Sequence, residues 1–321
     1  MYKIAKPIFL HTLTSLHAGS GDSLGVIDLP IQREKHTGFP KIEASSLKGS
    51  LRQAFEDAYD SEADRKKIHL IFGYDGDSLD IKSEKEKYPA LQEFFSTKDD
   101  REYAGAISFC DARILAFPVR SLKGVFAYVT CPLVLQRLAR DLALTGNDNL
   151  LPAPPNGRCA RAKNNVLIEG KEIVLEEYTF KPINVSEPFE SYGNKLTELI
   201  FPNSEPWKKW KNKFKEDLVV LEDNEFAEFV RNGTEVITRT KIDNETGTVQ
   251  EGALFNEEYV PSEAIFYSIV FAGPIFHHKK EKDFNSAEDV MKYFDENYPH
   301  YFQIGANATL GKGLVAAHLL V

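Results

Sequence analysis

HAGSGDSLGVIDLPIQREKHTGFPKIEASSLKGSLR, residues 17–52, carries the strongest signal in the chain. It continues an alternating run. Ile8, Leu10, Thr12, Thr14 and Leu16 share one face, and Phe9, His11, Leu13, Ser15 and His17 the other, which predicts a strand over residues 8–17. A loop with Gly19, Gly21 and Gly25 follows, where close backbone approach and positive φ are available. Asp28 then stands alone between Ile27 and Leu29, on a segment stiffened by Pro30. Leu47, Leu51, Phe55 and Ala58 recur at helical spacing, so residues 46–59 read as a helix with Ser45 or Ser46 as N-cap.

Small residues leading into a helix N-terminus with a lysine form a backbone able to hold an anion. Lys48 lies in the first turn, where a cation is disfavoured by roughly 0.3–1 kcal/mol. Arg52, one turn on, adds a like-charge cost of a few tenths. A bound phosphate would reverse both terms, which makes Ser45, Ser46, Lys48 and Arg52 candidate phosphate contacts; the alternative is two solvated cations. A lone carboxylate beside such a seat can act as general base or hold a metal ion, although most loop aspartates only cap turns. His17 can be a general acid or base near neutral pH, or simply a hydrogen-bonded strand-end residue. Together these features point to a nucleic-acid-handling protein that cuts RNA.

The 321 residues suffice for one large domain or two ordinary ones, and 42% hydrophobic and 27% charged residues are the values of a soluble globular protein. No apolar run is long enough to span a membrane, and the N-terminus lacks a signal-peptide pattern. Cys110, Cys131 and Cys159 show no CxxC spacing, which argues against a disulfide framework or a cysteine zinc site and for a cytoplasmic protein. The net charge of −9 runs against nucleic-acid binding taken as a whole. Residues 1–53 nevertheless hold seven basic and four acidic side chains, whereas residues 54–102 hold eight and fourteen. A basic face can therefore coexist with acidic, solvated insertions.

Further along, residues 106–119 read as a strand and 132–144 as a helix with Pro132 in its first turn. Residues 149–163 are loop-like, 172–180 β-rich, and 207–218 and 222–232 helical, the last stopped by Gly233. Residues 235–242 and 248–260 flank Asp243-Asn244-Glu245-Thr246-Gly247, a hairpin signal. Neither face of that hairpin is a clean core, so it is expected to project. Residues 265–272 are a core-like strand, Ser286 to Asp289 open a capped helix ending near Asn297, and residues 314–321 close the chain as a strand. With long insertions between them, these elements suit an α+β sheet. His277 and His278 would point to opposite faces of a strand and so make a poor shared metal site. Gly305 to Gly313 has Gly311-Lys312 at Walker A spacing, but Gly313 stands where a Ser or Thr is required and a strand follows. A glycine-rich clamp on an RNA backbone, or a structural turn, is the better reading.

The blocks His17–Gly21, Leu24–Glu34, Ile42–Arg52 and Glu251–Pro261, with the terminal glycine-rich loop, resemble the RAMP superfamily of CRISPR proteins, and within it the backbone subunits of type III-B (Cmr) effector complexes. The resemblance implies one domain over residues 1–321: a modified ferredoxin-like, RRM-type palm with inserted finger and thumb lobes, the insertions falling at residues 60–105 and 147–262. It implies copies stacked along a guide CRISPR RNA with other Cmr subunits, cutting the paired target RNA at intervals. Asp28 would be the catalytic residue, with His17, Glu257 and Tyr259 as further candidates, Glu258 competing with Glu257 for its place. Guide contacts would come from Ser45, Ser46, Lys48, Arg52, Gly311 and Lys312. Cleavage would depend on a divalent metal such as Mg2+, held by Asp28, and would proceed by attack of the RNA's own 2′-hydroxyl. Sequence would be read by base pairing, which reconciles RNA binding with the acidic balance. The competing readings are a non-catalytic guide scaffold, a guide-processing endoribonuclease and, more remotely, a small-molecule phosphate-binding enzyme.

Overall fold

The computed structural model describes residues 3–21, 25–75, 84, 86–94, 102–146, 150–155, 157–160, 166–168, 172–181, 187–277 and 284–320. Four strands form the spine of its largest sheet: β1 (Ile4–Thr12), β2 (Ala112–Arg120), β3 (Ile265–Ala272) and β4 (Leu314–Leu319). Their spatial order is β4-β1-β3-β2 and every neighbouring pair is antiparallel. One helix, α1 (Ala44–Ala58), connects β1 towards β2, and another, α2 (Ala287–Asn297), lies between β3 and β4. The sheet is extended beyond β2 by Phe126–Thr130, antiparallel, and by Leu218–Val220, parallel to it.

Both faces of this sheet are covered. On one, α1 and α2 pack through Phe55 and Phe294, whose rings stack at 5.7 Å. On the other, helices Glu187–Ile200 and Lys208–Asp217 bring Phe201, Trp207 and Phe214 against His11 and Tyr128. Residues Ile8 to Thr12 are consequently buried without alternation, and the period-2 pattern of the sequence does not mark a solvent face. The helix over residues 187–200 goes beyond the sequence reading. Its apolar positions Phe189, Tyr192, Leu196 and Leu199 have helical spacing, while Pro188 and Gly193 mask the local propensity.

Three boundaries differ from the sequence reading. The first strand ends at Thr12 rather than His17. The amides of Leu13 and Thr14 both turn to the Leu314 carbonyl, and pairing resumes only as a bridge between Leu16 and Val260. The strand expected over residues 106–119 is broken into Ile107–Phe109 and β2 at Cys110 and Asp111. The break has a consequence for α1. That helix starts at Ala44 with Glu43 as its cap residue and no side-chain cap from Ser45 or Ser46. Instead Asp111 Oδ1 accepts the Ala44 amide at 2.9 Å, and Oδ2 pairs with Lys41 at 3.0 Å.

Strands Glu235–Ile242 and Val249–Tyr259 form the expected hairpin. Asp243 Oδ1 accepts the Glu245 and Thr246 amides at the turn, each at 2.9 Å. Ile242, Val249 and Leu254 are exposed, whereas Glu257, Glu258 and Tyr259 at the base are buried. Ser286 and Asp289 form the expected capping box of α2. The short segments 22–24, 147–149, 161–165 and 278–283 lie outside the described residues, and with them His278 and part of the glycine loop before Asp28.

Candidate active site

The base of the hairpin is where separate blocks of the sequence meet. Residues 18–20 pair antiparallel with 30–32: the Gln32 amide donates to Ala18 O at 2.7 Å and the Ser20 amide to Pro30 O at 3.0 Å. That pairing folds the Asp28 segment back beside His17. Leu29 then bridges Glu257 in parallel, its amide donating to Asn256 O and its carbonyl accepting the Glu258 amide, both at 3.0 Å. Asp28 Oδ2 accepts the Asn256 amide at 2.7 Å. Asp28 is thus exposed but held at a fixed place on the hairpin base, and among the described residues its second oxygen takes no hydrogen bond.

His17 is buried immediately alongside. Its Nδ1 lies 2.6 Å from the Glu258 carbonyl, which can only accept, so Nδ1 carries the proton and Nε2 is left to act. Nε2 is 3.8 Å from Glu257 Oε1. A Cβ at position 19 would come within 2.7 Å of that nitrogen, which is why the residue beside it is glycine. The terminal loop packs on the same histidine: the Ala306 amide donates to His17 O at 3.0 Å, and Gly305, at φ +81°, leaves no room for a Cβ against that carbonyl.

Glu257 is the hub. Arg239 Nε and the Tyr259 hydroxyl each donate to Oε2 at 2.5 Å, and Asn307 Nδ2 donates to Oε1 at 2.6 Å. Burial pushes this carboxyl up, but the bonds from Tyr259, Arg239 and Asn307 outweigh it and carry the pKa below its ordinary value. Tyr259 moves the other way: burial, then donation to Glu257, raise its phenol. The pair is therefore a carboxylate and a neutral phenol at neutral pH. Lys312 Nζ sits 4.9 Å above the Tyr259 ring.

Adjacent strand residues face opposite ways, and this separates Glu257 from Glu258. Glu258 accepts from the Ile31 amide at 3.0 Å, from Thr234 Oγ1 at 2.7 Å and from the Arg33 guanidinium. It pins the basic segment to the hairpin, while Glu257 faces His17. The structure thus brings Asp28, His17, Glu257, Tyr259 and Lys312 together. Arg239 and Asn307 also belong to this cluster, and sequence reasoning did not single them out. The one clue was Asn307 in a glycine-rich loop, since asparagine tolerates the left-handed backbone it adopts at φ +64°.

The helix terminus is less open than the sequence suggests. The Asp111 carboxylate already occupies the Ala44 amide. Arg52 is also committed: it donates to Glu56 at 2.7 Å, to the Gly73 carbonyl at 3.2 Å and to His69 Nδ1 at 3.0 Å. Its apparent like-charge penalty is answered by Glu56, so no phosphate is required to explain it. Lys48 is different. It is half-buried, and burial, then the nearby Arg52 charge, lower its pKa. An anion there would relieve both effects.

Among the described residues no group of three His, Cys, Asp or Glu side chains is arranged to hold a metal ion. Glu257 already takes three donors, whereas among the described residues one oxygen of the exposed Asp28 takes none. One carboxylate oxygen suits a cation such as Mg2+ that keeps most of its waters and shares phosphate oxygens of a substrate, rather than one held in a protein cage.

The sequence profile of the RAMP superfamily matches residues 9–316, and the chain belongs to that superfamily. It is 38% identical, over 97% of its length and 94% of the relative's, to the protein of Pyrococcus furiosus named CRISPR system Cmr endoribonuclease Cmr4. It is 27% identical to the CRISPR system CMR subunit Cmr4 of Saccharolobus solfataricus, over 98% and 96% of the two chains. The crystal structure of oligomeric Cmr4 from Pyrococcus furiosus superposes with a TM-score of 0.69 at 31% identity, covering 99% of this chain and 98% of that one. The fold is also that of a chain in the type III-B Cmr-beta complex bound to cognate target RNA, with a TM-score of 0.69 at 24% identity and coverage of 99% and 98%.

Proposed function

We propose that this chain is a backbone subunit of a cytoplasmic type III-B CRISPR complex, stacked with its own copies and other Cmr subunits along a guide RNA, and that it cuts the paired target RNA at Asp28. The observation that carries the reading is the placement of Asp28: an exposed carboxylate fixed on the hairpin base beside the buried His17, Glu257 and Tyr259 cluster. The 38% identity with a protein named an endoribonuclease supports it. The β4-β1-β3-β2 spine with its two connecting helices supports a modified ferredoxin-like palm within a single RAMP domain. Residues 60–105 and 147–262 are the inserted finger and thumb lobes of that palm.

In this reading the target's 2′-oxygen attacks the adjacent phosphorus as the 2′-hydroxyl gives up its proton. The bond to the 5′-oxygen breaks, and that oxygen takes a proton. Asp28 in this reading orients or deprotonates the 2′-hydroxyl, a role typically worth about 10²–10⁴-fold. His17, with Nε2 directed towards Glu257, is the proton carrier of this reading. Mg2+ held by Asp28 would offset charge on the phosphate oxygens. Lys48, Ser45, Ser46, Gly311 and Lys312 remain the guide-RNA contacts of this reading, and Arg52 serves α1 instead.

Asp28→Asn keeps the shape, and its side-chain oxygen can still accept the Asn256 amide. In the assembled complex, with end-labelled target and excess Mg2+, the variant should bind guide and target normally and lose cutting. Wild-type cutting would remove Asp28 as catalyst; a complex that no longer assembles would make it structural.

A further inference from the structure

We infer that Asn307, acting with Arg239, is a positioning residue of the cutting site: it ties the terminal glycine-rich loop to Glu257 and Tyr259, and through Glu257 sets where His17 presents Nε2. The inference rests on the reading of this cluster as the site of RNA cleavage.

Three observations support it. First, Asn307 Nδ2 reaches both members of the pair, Glu257 Oε1 at 2.6 Å and the Tyr259 hydroxyl at 2.9 Å. Arg239 does the same from the opposite strand of the hairpin, Nε to Glu257 and Nη2 to the Tyr259 hydroxyl, both at 2.5 Å. Each carboxylate oxygen of Glu257 therefore has its own donor, and the side chain cannot rotate without losing one. The oxygen held by Asn307 is Oε1, the same oxygen that faces His17 Nε2 at 3.8 Å.

Second, the backbone of Asn307 is built for this. At φ +64° it lies in the left-handed region, which most side chains avoid and asparagine tolerates. Glycine would satisfy that backbone equally well. The side chain at this position is thus spare for turn geometry and is used on the glutamate. Third, the loop is anchored to the residue it helps to orient. The Ala306 amide bonds His17 O at 3.0 Å, and the Gly313 amide bonds Ser15 O at 2.9 Å. The loop holds the histidine's backbone through Ala306 and its acidic neighbour through Asn307.

Such an arrangement fixes geometry before substrate arrives, and small displacements of a positioned group cost up to about a hundredfold in rate. Two substitutions separate the side chain from the backbone. Asn307→Gly keeps the left-handed turn and deletes the amide. Asn307→Asp keeps size and turn but sets a second acceptor against Glu257. The measurement is single-turnover cleavage of end-labelled target by the assembled, guide-loaded complex, with target affinity and particle mass recorded for each variant. Both variants should assemble and bind target as wild type does, and cut about tenfold or more slowly at saturation, Asp more slowly than Gly. Arg239→Lys, which keeps the charge but cannot bond both partners as a fork, should show the same split. Wild-type rates in Asn307→Gly and Asn307→Asp would overturn the inference, and so would a defect confined to target affinity or assembly. Asp28→Asn in the same assay keeps the two ideas apart. If wild type does not cut, or Asp28→Asn cuts normally, the assignment of function fails; if those controls hold and the Asn307 variants are normal, only the positioning role fails.

Discussion

Asp111→Ala should loosen the start of α1, and the size of the effect follows from two contacts. Asp111 Oδ1 accepts the Ala44 amide at 2.9 Å, replacing the cap that neither Ser45 nor Ser46 supplies. Losing a capping acceptor costs typically about 1 kcal/mol. Its partner oxygen pairs with Lys41 at 3.0 Å, but the aspartate side chain is 34% exposed, so that ion pair adds at most about 1 kcal/mol. The sum, about 1–2 kcal/mol, corresponds to a melting-temperature drop of roughly 1–3 °C in a chain of this size. Burial pushes the Asp111 carboxyl up, yet the Ala44 amide and Lys41 outweigh it and leave the folded pKa below its ordinary value. The stabilisation is therefore complete above the unfolded pKa of about 3.9 and is lost as pH falls through the lower folded value. Thermal denaturation of the purified chain from pH 7 down to pH 3 would show the deficit of the variant full at neutral pH and shrinking in acid. Asp111→Asn, which keeps an acceptor and loses the charge, should fall between wild type and alanine. An alanine variant that melts with wild type at pH 7, or a deficit that stays constant into acid, would refute the capping role.

Lys48→Ala should weaken guide-RNA binding and flatten its salt dependence, because one fewer counterion is released; Arg52→Ala, which breaks bonds to Glu56, Gly73 and His69 instead, should lower the melting temperature and leave the salt slope alone. Fluorescence anisotropy across a salt series separates them, and equal slopes for the two variants would sink the distinction. Shortening the hairpin around Asp243–Gly247 should spare the melting temperature, since Ile242, Val249 and Leu254 are exposed, and should alter assembly or cut positions. Native mass measurement together with mapping of the cut sites would show it, and an unchanged particle with unchanged cuts would leave the hairpin without a role.

What the sequence discloses and what it conceals divide by chain separation. The capping box of α2 joins Ser286 to Asp289, three residues apart, and was readable because both partners sit in one short pattern. The turn at Asp243 is legible for the same reason. The cap of α1 comes from Asp111, 67 residues beyond the amide it serves, and nothing in the residues around Ser45 announces it. Arg52 looks destabilising beside Lys48 only until Glu56 and His69 are placed against it. The alternation over residues 8–17 was real but misleading. It marks two buried faces, because helices from residues 187–217 cover the side that a simple α+β reading leaves to solvent.

The same division explains the site. Asp28 and His17 lie eleven residues apart in one block, and their chemistry could be suspected from types and spacing alone. Glu257 reaches them only because Leu29 pairs in parallel with the hairpin base, and Asn307 only because the terminal loop folds over His17. Choosing between Glu257 and Glu258 needed the register of one strand. A shift by a single residue would exchange the glutamate that faces His17 for the one that holds Arg33. That register is fixed by the Leu16–Val260 bridge on one side and the Leu29–Glu257 bridge on the other, so the geometry around the exposed carboxylate is set by pairings that begin just past the end of β1. The arrangement sets the exposed Asp28 beside the buried His17, Glu257 and Tyr259, with Arg239 and Asn307 half-buried around them. On the proposed reading, substitutions at Glu257, Arg239 or Asn307 act on rate through the placement of His17 and leave target affinity unchanged.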